Sequence, residues 1–198
     1  MRKIAITGTI GAGKTSAAIM IRRRGMAVFN CDQYARLCTN RNNPCFAPIV
    51  AIFGEQIINS TGDIDRSKLA AEVFADEEKR LALNAVTHPY IREGMHRFFE
   101  SHKDDAFVFA EVPLLFEAGF ETDFDTVLCV TCDKETAVKR LMEDREYTRE
   151  QALARYDSQI DPEIQKARAD RVIENNGTLS DLDRAINLWI GEMRRGKA

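Results

Sequence analysis

The sequence shows no bulk excess of one charge, no long apolar run, no internal repeat and no low-complexity tract. Each absence excludes something. Lysine and arginine number 28 against 31 acids, a net charge of −3, so no general attraction to nucleic acid or to an anionic membrane is expected. No apolar stretch approaches the roughly 20 residues of a membrane-spanning helix. The opening MRKIAITG passes straight into an apolar run and leaves no room for a secretory signal. The five cysteines are an odd number, which argues against a disulfide framework. Cys129 and Cys132 have a C-x-x-C spacing but no second ligand pair, so small buried thiols are expected rather than a zinc or redox site. These absences point to a cytoplasmic chain with no nucleic-acid or membrane partner; a monomer or weak homo-oligomer is expected, without a sequence feature that fixes it.

What is present is ordinary in bulk and specific in one place. A chain of 198 residues, 44% hydrophobic and 30% charged, can bury one proper core. Near its start, Gly8 to Thr15 reads GTIGAGKT. The apolar run Lys3 to Thr7 before it predicts a strand, and Ala17, Ala18, Met20 and Ile21 after it are spaced as one helical face. Strand, G-x-x-x-x-G-K-[ST], helix is the context of a phosphate-binding P-loop. Gly11 and Gly13 let the backbone turn tightly and bring its N–H groups against phosphate oxygens. The N-terminus of the helix expected over Ser16 to Arg24 adds its partial positive charge. Lys14 can reach the β- and γ-phosphates and the Thr15 hydroxyl can ligate Mg²⁺. The motif implies ATP or another nucleoside triphosphate and leaves the acceptor open.

Further along, Met26 to Phe29 reads as a second strand with Asp32 just past its carboxyl end, where open α/β sheets bind ligands. Asp32 could equally be a plain N-cap of the helix expected over Gln33 to Thr39. Phe46 to Phe53 predicts a helix ended by Gly54. From Arg66 to Lys103 the chain is mostly helical, with Leu69, Val73 and Phe74 on one apolar face and Leu81, Leu83 and Val86 on another. Thr87-His88-Pro89 is expected to break it. His88 could contact a substrate or be a hydrogen-bonded structural histidine.

Phe107 to Ala110 is a fully apolar third strand ending in Glu111, a loose Walker B pattern in which the acid helps hold Mg²⁺. Pro113 to Glu117 follows as a stiff loop. Thr126 to Thr131 and Val172-Ile173 predict the remaining strands, with the Asn175-Asn176-Gly177 turn at the last carboxyl end and Ser180 capping the final helix. Between them, Lys139, Arg140, Arg145, Arg149, Arg155, Lys166, Arg168 and Arg171 crowd a short helical region. Thr148-x-x-Gln151 reads as a capping box within it. Such a run is either a solvated face or a lid that brings arginine onto a transferring phosphate.

Taken together, these segments resemble the dephospho-CoA kinase family of P-loop kinases, from about Lys3 to about Trp189. The P-loop is similar to the family's opening, and Asn30 to Arg36 resembles its D-x-D-x-x-A-R segment. Gly62 to Arg66 with Leu69, Val73 and Phe74, and then Thr87-His88-Pro89, resemble its substrate insertion. Glu111 to Glu117 is similar to its acid-x-P-L-L-x-E stretch. Arg140, Arg155, Gln159, Lys166, Ala169-Asp170 and Val172 to Gly177 resemble its lid and adenine-side segments.

The resemblance implies an α/β fold: a P-loop kinase core with a five-stranded parallel sheet flanked by helices, a helical substrate-binding insertion and a small helical lid. The expected limits are core 1–54, 105–139 and 169–198, insertion 55–104 and lid 140–168. It implies transfer of the ATP γ-phosphate to the ribose 3′-hydroxyl of dephospho-CoA, the last step of coenzyme A synthesis, with Mg²⁺. Asp32 would be the catalytic acid-base, with Lys14 and Arg140 neutralising phosphoryl charge and Thr15 and Glu111 at the metal. Gly8, Gly11, Ala12, Gly13, Lys14, Thr15, Ser16, Asn175, Asn176 and Gly177 would bind ATP. Asp32, Arg66, His88, Pro113, Leu114, Leu115 and Glu117 would face the acceptor.

The chain departs from the family pattern at three places. Asn30 replaces the first Asp of D-x-D, Asp144 stands where a second arginine is usual with Arg145 one later, and Thr9 stands where glycine is common. The competing readings are a P-loop kinase for another small hydroxyl acceptor (nucleoside, nucleotide, gluconate or shikimate) and a nucleotide switch without an acceptor. The N-K-x-D guanine signature is missing, which weakens the switch.

Overall fold

The computed structural model describes residues 1–196. The elements follow in the order β1 (Arg2–Gly8), α1 (Lys14–Arg23), β2 (Ala27–Asn30), α2 (Cys31–Ala35), α3 (Phe46–Phe53), α4 (Arg66–Ala75), α5 (Glu77–Ser101) and β3 (Phe107–Glu111). Then come β4 (Thr126–Thr131), α6 (Lys134–Arg145), α7 (Arg149–Asp157), α8 (Pro162–Arg168), β5 (Arg171–Glu174) and α9 (Leu179–Arg194). The strands form a five-stranded parallel sheet in the order β2-β3-β1-β4-β5. β1 is central because its neighbours are long apolar strands. Ile6 pairs with Glu111 of β3, and Gly8 with Val130 of β4. A parallel strand covered on both faces must be apolar throughout, and β4 is buried at every position.

By contacts the chain divides into two compact units, one of residues 1–29 with 102 onward and one of Asn30–Ser101. In the sheet unit the core runs from Ile4, Ile6 and Leu128 to Ile21 on α1 and Leu182, Ile186, Trp189 and Ile190 on α9. Trp189 meets Phe109 edge-to-face with ring centroids 6.3 Å apart. α9 keeps its apolar residues in helical register, as the spacing predicts. Its N-cap, however, is Thr178 rather than Ser180: the Thr178 hydroxyl accepts from the Asp181 N–H while Asp181 reaches back to Thr178. A side chain three residues before an acid completes this reciprocal pair, and Ser180 lies already inside the helix. The Thr148–Gln151 capping box at α7 is formed as expected. The expected core segment 169–198 ends in residues 197 and 198, which lie outside the described residues.

The helical unit has its own core of Cys38, Cys45, Ile49, Phe53, Ile57, Ile64 and Leu69. It begins at Asn30, not at 55, because α2 packs on α5. Tyr34 stacks on Tyr90 with centroids 5.1 Å apart, and a Cβ at Gly94 would lie 2.3 Å from the Tyr34 ring. Arg97 Nη2 donates to the Tyr34 hydroxyl at 3.0 Å. The expected break at Pro89 is also corrected, since α5 runs unbroken from Glu77 to Ser101 with Pro89 inside it. Proline removes the bond to the Ala85 carbonyl and costs about 3 kcal/mol in a helix interior. Burial of Ile91, Met95 and Phe99 in the following turns offsets that cost. Two apolar faces are narrower than the spacing suggests. Phe74 is 85% exposed and Leu81 56%, whereas Leu69, Val73, Leu83 and Val86 pack inward. Phe74 is five residues from Leu69, more than one turn, and so leaves the stripe.

Candidate active site

The phosphate loop is shaped by close main-chain approach. A Cβ at Gly8 would lie 1.8 Å from the Val130 carbonyl oxygen, so only glycine lets β1 end against β4. Gly13 is left-handed, with φ 98°, and is the N-cap of α1 with no side-chain cap. The first N–H groups of α1 therefore have no side chain closing them off and can serve an anion. Ala12 is fully buried and contributes main chain only. Lys14 Nζ donates to the carbonyls of Gly8 and Thr9, each at 2.8 Å, which folds the ammonium over the loop. Thr15 and Ser16 follow in the first turn of α1.

Glu111 ends β3 with only 3% of its surface exposed. The Thr15 hydroxyl donates to Glu111 Oε1 at 2.6 Å. A hydroxyl and a carboxylate side by side are hard oxygen donors of the kind Mg²⁺ takes, the rest of its shell coming from waters and phosphates. Among the described residues no group of three or more His, Cys, Asp or Glu forms a metal cage, so a dedicated all-protein site is not what this donor set resembles. Thr15 and Glu111 thus fit a magnesium ion brought in with a nucleotide.

Arg140 on α6 reaches the loop from the other side. Its Nη1 donates to the Gly11 carbonyl at 3.3 Å and its Nη2 to Gly177 at 3.2 Å. Asn175 is 4% exposed, and its Nδ2 donates to the Ala12 carbonyl at 2.8 Å. Asn176 Oδ1 accepts from the Asp133 N–H at 2.8 Å. The Asn175–Gly177 turn is therefore fastened to the phosphate loop, with Asn175 acting as a brace rather than an exposed ligand. In the loop after β3, Leu114 is half exposed while Leu115 is fully buried. The Leu115 side chain is shielded from any acceptor; it anchors the loop that presents Pro113, Leu114 and Glu117.

Most of the basic cluster is already paired. Arg149 bonds Glu135 at 2.9 Å, and Arg168 bonds Glu121 while lying over the Phe116 ring at 4.3 Å. Lys166 meets Glu163 at 2.8 Å and Arg171 meets Glu192 at 3.5 Å. Arg155 stacks on Tyr147 at 4.7 Å. The solvated-face reading covers these, and Arg140 is the member tied to the phosphate loop.

In the helical unit, Asn30 is the N-cap of α2, accepting from the Gln33 N–H at 2.8 Å. This removes the plain-cap reading of Asp32, which lies exposed in the first turn. Arg66 opens α4 behind its N-cap Asp65. His88 is half-buried on α5; burial, then the charge of Arg92, holds its pKa below the ordinary 6.5, so it is neutral at neutral pH.

The family model described as dephospho-CoA kinase matches residues 2–181. The chain belongs to the dephospho-CoA kinase family. The activity of that family is the final step of coenzyme A biosynthesis. A dephospho-CoA kinase of Corynebacterium glutamicum is 36% identical over 195 residues, covering 98% of each chain. Among solved structures, TT1252 from Thermus thermophilus superposes with a TM-score of 0.84 at 36% identity over 96% of this chain and 97% of that one. A dephospho-CoA kinase from Campylobacter jejuni superposes with a TM-score of 0.74 at 28% identity over 99% and 98%.

For a dephospho-CoA kinase family member, one fastening gives a residue of the lid-like segment a definite partner. Gln159, in the turn after α7, accepts the Ile10 N–H of the phosphate loop at 2.7 Å. It ties the 140–168 segment to the loop; the sequence resemblance picks out Gln159 but not this partner. No described helix is long and apolar enough to cross a membrane.

Proposed function

We propose that this chain transfers the γ-phosphate of ATP to the ribose 3′-hydroxyl of dephospho-CoA, giving coenzyme A and ADP. The observation that supports it most is the assembled phosphate loop, with the uncapped start of α1, Lys14 over the loop, and Arg140 joining Gly11 to Gly177. Phosphoryl transfer needs positioning and charge neutralisation more than covalent help from the protein. Gly8 to Ser16 would bind the ATP phosphates, and the Asn175–Gly177 turn would border the nucleotide. Lys14 and Arg140 would neutralise the equatorial oxygens as the bond to ADP breaks. Asp32 would accept the 3′-hydroxyl proton as that oxygen attacks phosphorus in line. Thr15 and Glu111 would hold Mg²⁺, which supplies further charge neutralisation at the phosphates.

The acceptor side is assigned to Asp32, Arg66 and His88 with the Pro113–Glu117 loop, and residues 140–168 to a lid that excludes water as competing acceptor. The five cysteines are all buried free thiols, which suits a reducing cytoplasm. The small-molecule partners are ATP and dephospho-CoA, and the proposed state is a monomer or weak homo-oligomer.

The deciding experiment is ADP release from purified protein with MgATP, with and without dephospho-CoA, and the mass of the product. Strong stimulation with coenzyme A as product is expected. No stimulation by dephospho-CoA, with stimulation by a nucleoside, gluconate or shikimate, would replace the acceptor.

A further inference from the structure

Within the helical unit lies an open cleft of about 650 Å³, walled by the turn after α2, the Asn59–Asp65 turn and the first turn of α4. Two arginines, Arg36 and Arg66, and two aspartates, Asp63 and Asp65, contribute its charge. Each aspartate places one oxygen on a backbone N–H and keeps its charge. Asp65 Oδ1 caps α4, accepting from Ser67 N at 2.9 Å and Lys68 N at 3.3 Å. Asp63 Oδ1 accepts from the Arg41 N–H at 2.8 Å. Asn59 is likewise occupied, its Oδ1 accepting from the Thr61 and Asp63 N–H groups at 3.0 and 3.1 Å. The walls are pinned by main-chain bonds from Ile64 N to Thr39 O at 2.9 Å and from Asp65 N to Ile57 O at 2.7 Å.

The arginines differ from everything around them. Both are exposed, and among the described residues neither guanidinium is hydrogen-bonded or ion-paired. Two unpaired planar guanidiniums opening on one rigid cleft are suited to bidentate capture of a phosphate pair. The volume lies in the range of small-molecule sites.

A second observation ties this cleft to the acceptor. Arg36 lies four residues after Asp32, and its backbone is still right-handed helical, with φ −61° and ψ −25°. That spacing sets the two side chains on neighbouring positions of one helical face. In dephospho-CoA, the 3′-hydroxyl and the 5′-diphosphate hang from the same ribose. Groups that hold them must therefore be neighbours.

We propose that Arg36 and Arg66 clamp the 5′-diphosphate of the acceptor in this cleft, while Asp32, one turn away, addresses the 3′-hydroxyl. This rests on the reading that dephospho-CoA is the acceptor. The clamp binds substrate and transition state alike, so its loss falls on acceptor affinity rather than on turnover.

The test is calorimetric titration of dephospho-CoA into the full chain, saturated with a non-hydrolysable ATP analogue so that the phosphate loop is filled. Arg36→Gln and Arg66→Gln should each raise the dissociation constant by about 10-fold or more, with Arg→Lys recovering part of the loss. Inorganic pyrophosphate should displace dephospho-CoA from the wild type and fail to bind the double variant. Melting curves matching the wild type confirm folding; where a Gln variant melts early, the Lys variant carries the comparison. A dissociation constant within about twofold of wild type in the double variant overturns the clamp. So does pyrophosphate that binds through these arginines without displacing dephospho-CoA, since the cleft would then be a separate anion site. Wild-type protein that binds dephospho-CoA through the arginines yet does not phosphorylate it would leave the clamp standing and overturn the proposed reaction. Wild-type protein that does not bind dephospho-CoA would overturn both.

Discussion

In the sheet unit, the groups proposed to meet phosphate are placed by main chain: Gly8 against Val130, Gly13 at the head of α1, and carbonyls that hold Lys14 and Arg140. In the helical unit, the charged groups Asp32, Arg36 and Arg66 stand exposed on short helices and turns. The first arrangement is rigid and self-bonded before any ligand arrives. The second leaves two exposed arginines with no protein partner among the described residues, held only by water until a ligand arrives. Such a division suits a kinase. The nucleotide is common to many enzymes and can be met by a fixed cradle, whereas the acceptor must be recognised by side chains that differ between them.

The comparison breaks most sharply at Asp32. Asp32→Asn should lower kcat by about 10²- to 10⁴-fold. The cap of α2 is untouched by this change, because it is Asn30. Steady-state ADP release and a thermal melt on the same preparation decide the matter. Near wild-type turnover would leave the helical unit with recognition alone and put the chemistry wholly on the sheet unit.

Arg140→Ala probes the opposite side. It removes a guanidinium that joins Gly11 to Gly177, and kcat should fall by about 10²-fold. The KM for ATP should rise as well, since the loop loses a fastening. A change limited to the KM for dephospho-CoA would move Arg140 from the transferring phosphate to uniform acceptor binding.

Asn30→Ala should cost about 1 kcal/mol, the usual loss for a capping side chain, and lower the melting temperature. Asn30→Asp keeps an oxygen acceptor for the Gln33 N–H and should melt like the wild type. An Asn30→Ala protein that melts normally but turns over slowly would show that this cap matters for orienting Asp32 rather than for folding.

The same contrast explains what could be read in advance. The strands were legible: β3 and β4 are buried apolar runs, and the edge strand β5, exposed at both ends, still shows Val172-Ile173 ahead of a turn. The P-loop was legible because its function is written in consecutive residues. Pro89 misled, since its local cost is outweighed by Ile91, Met95 and Phe99 packing farther along α5. The start of the helical unit misled for a similar reason: Tyr34 fits the notch at Gly94, sixty residues away, about which α2 itself says nothing. The cap expected at Ser180 falls instead on Thr178, which makes a reciprocal pair with Asp181. Gln159 and Arg36 are picked out by resemblance to family segments, but the bond of the first and the free guanidinium of the second are not. Their meaning arises only when distant turns are brought together, as at the Ile10 N–H.

The smallest effect concerns pH, and it tests which unit acid reaches first. His88 is half-buried on α5, and burial, followed by repulsion from Arg92, lowers its pKa from the ordinary 6.5. The folded state therefore disfavours the imidazolium, while the unfolded chain takes up a proton near that ordinary value. The stability that His88 contributes is present above about pH 6.5 and is lost as the pH falls through the depressed folded value. Urea unfolding at about pH 7 and about pH 5 should then show a larger drop for the wild type than for His88→Gln, which has nothing to titrate. Arg92→Ala should lessen the drop, because the repulsion that opposes the proton is gone. Equal drops in all three proteins would assign the acid sensitivity to carboxylates elsewhere. A flatter response in the two variants would instead show that the helical unit, built on side chains at the edge of burial, yields to acid through His88.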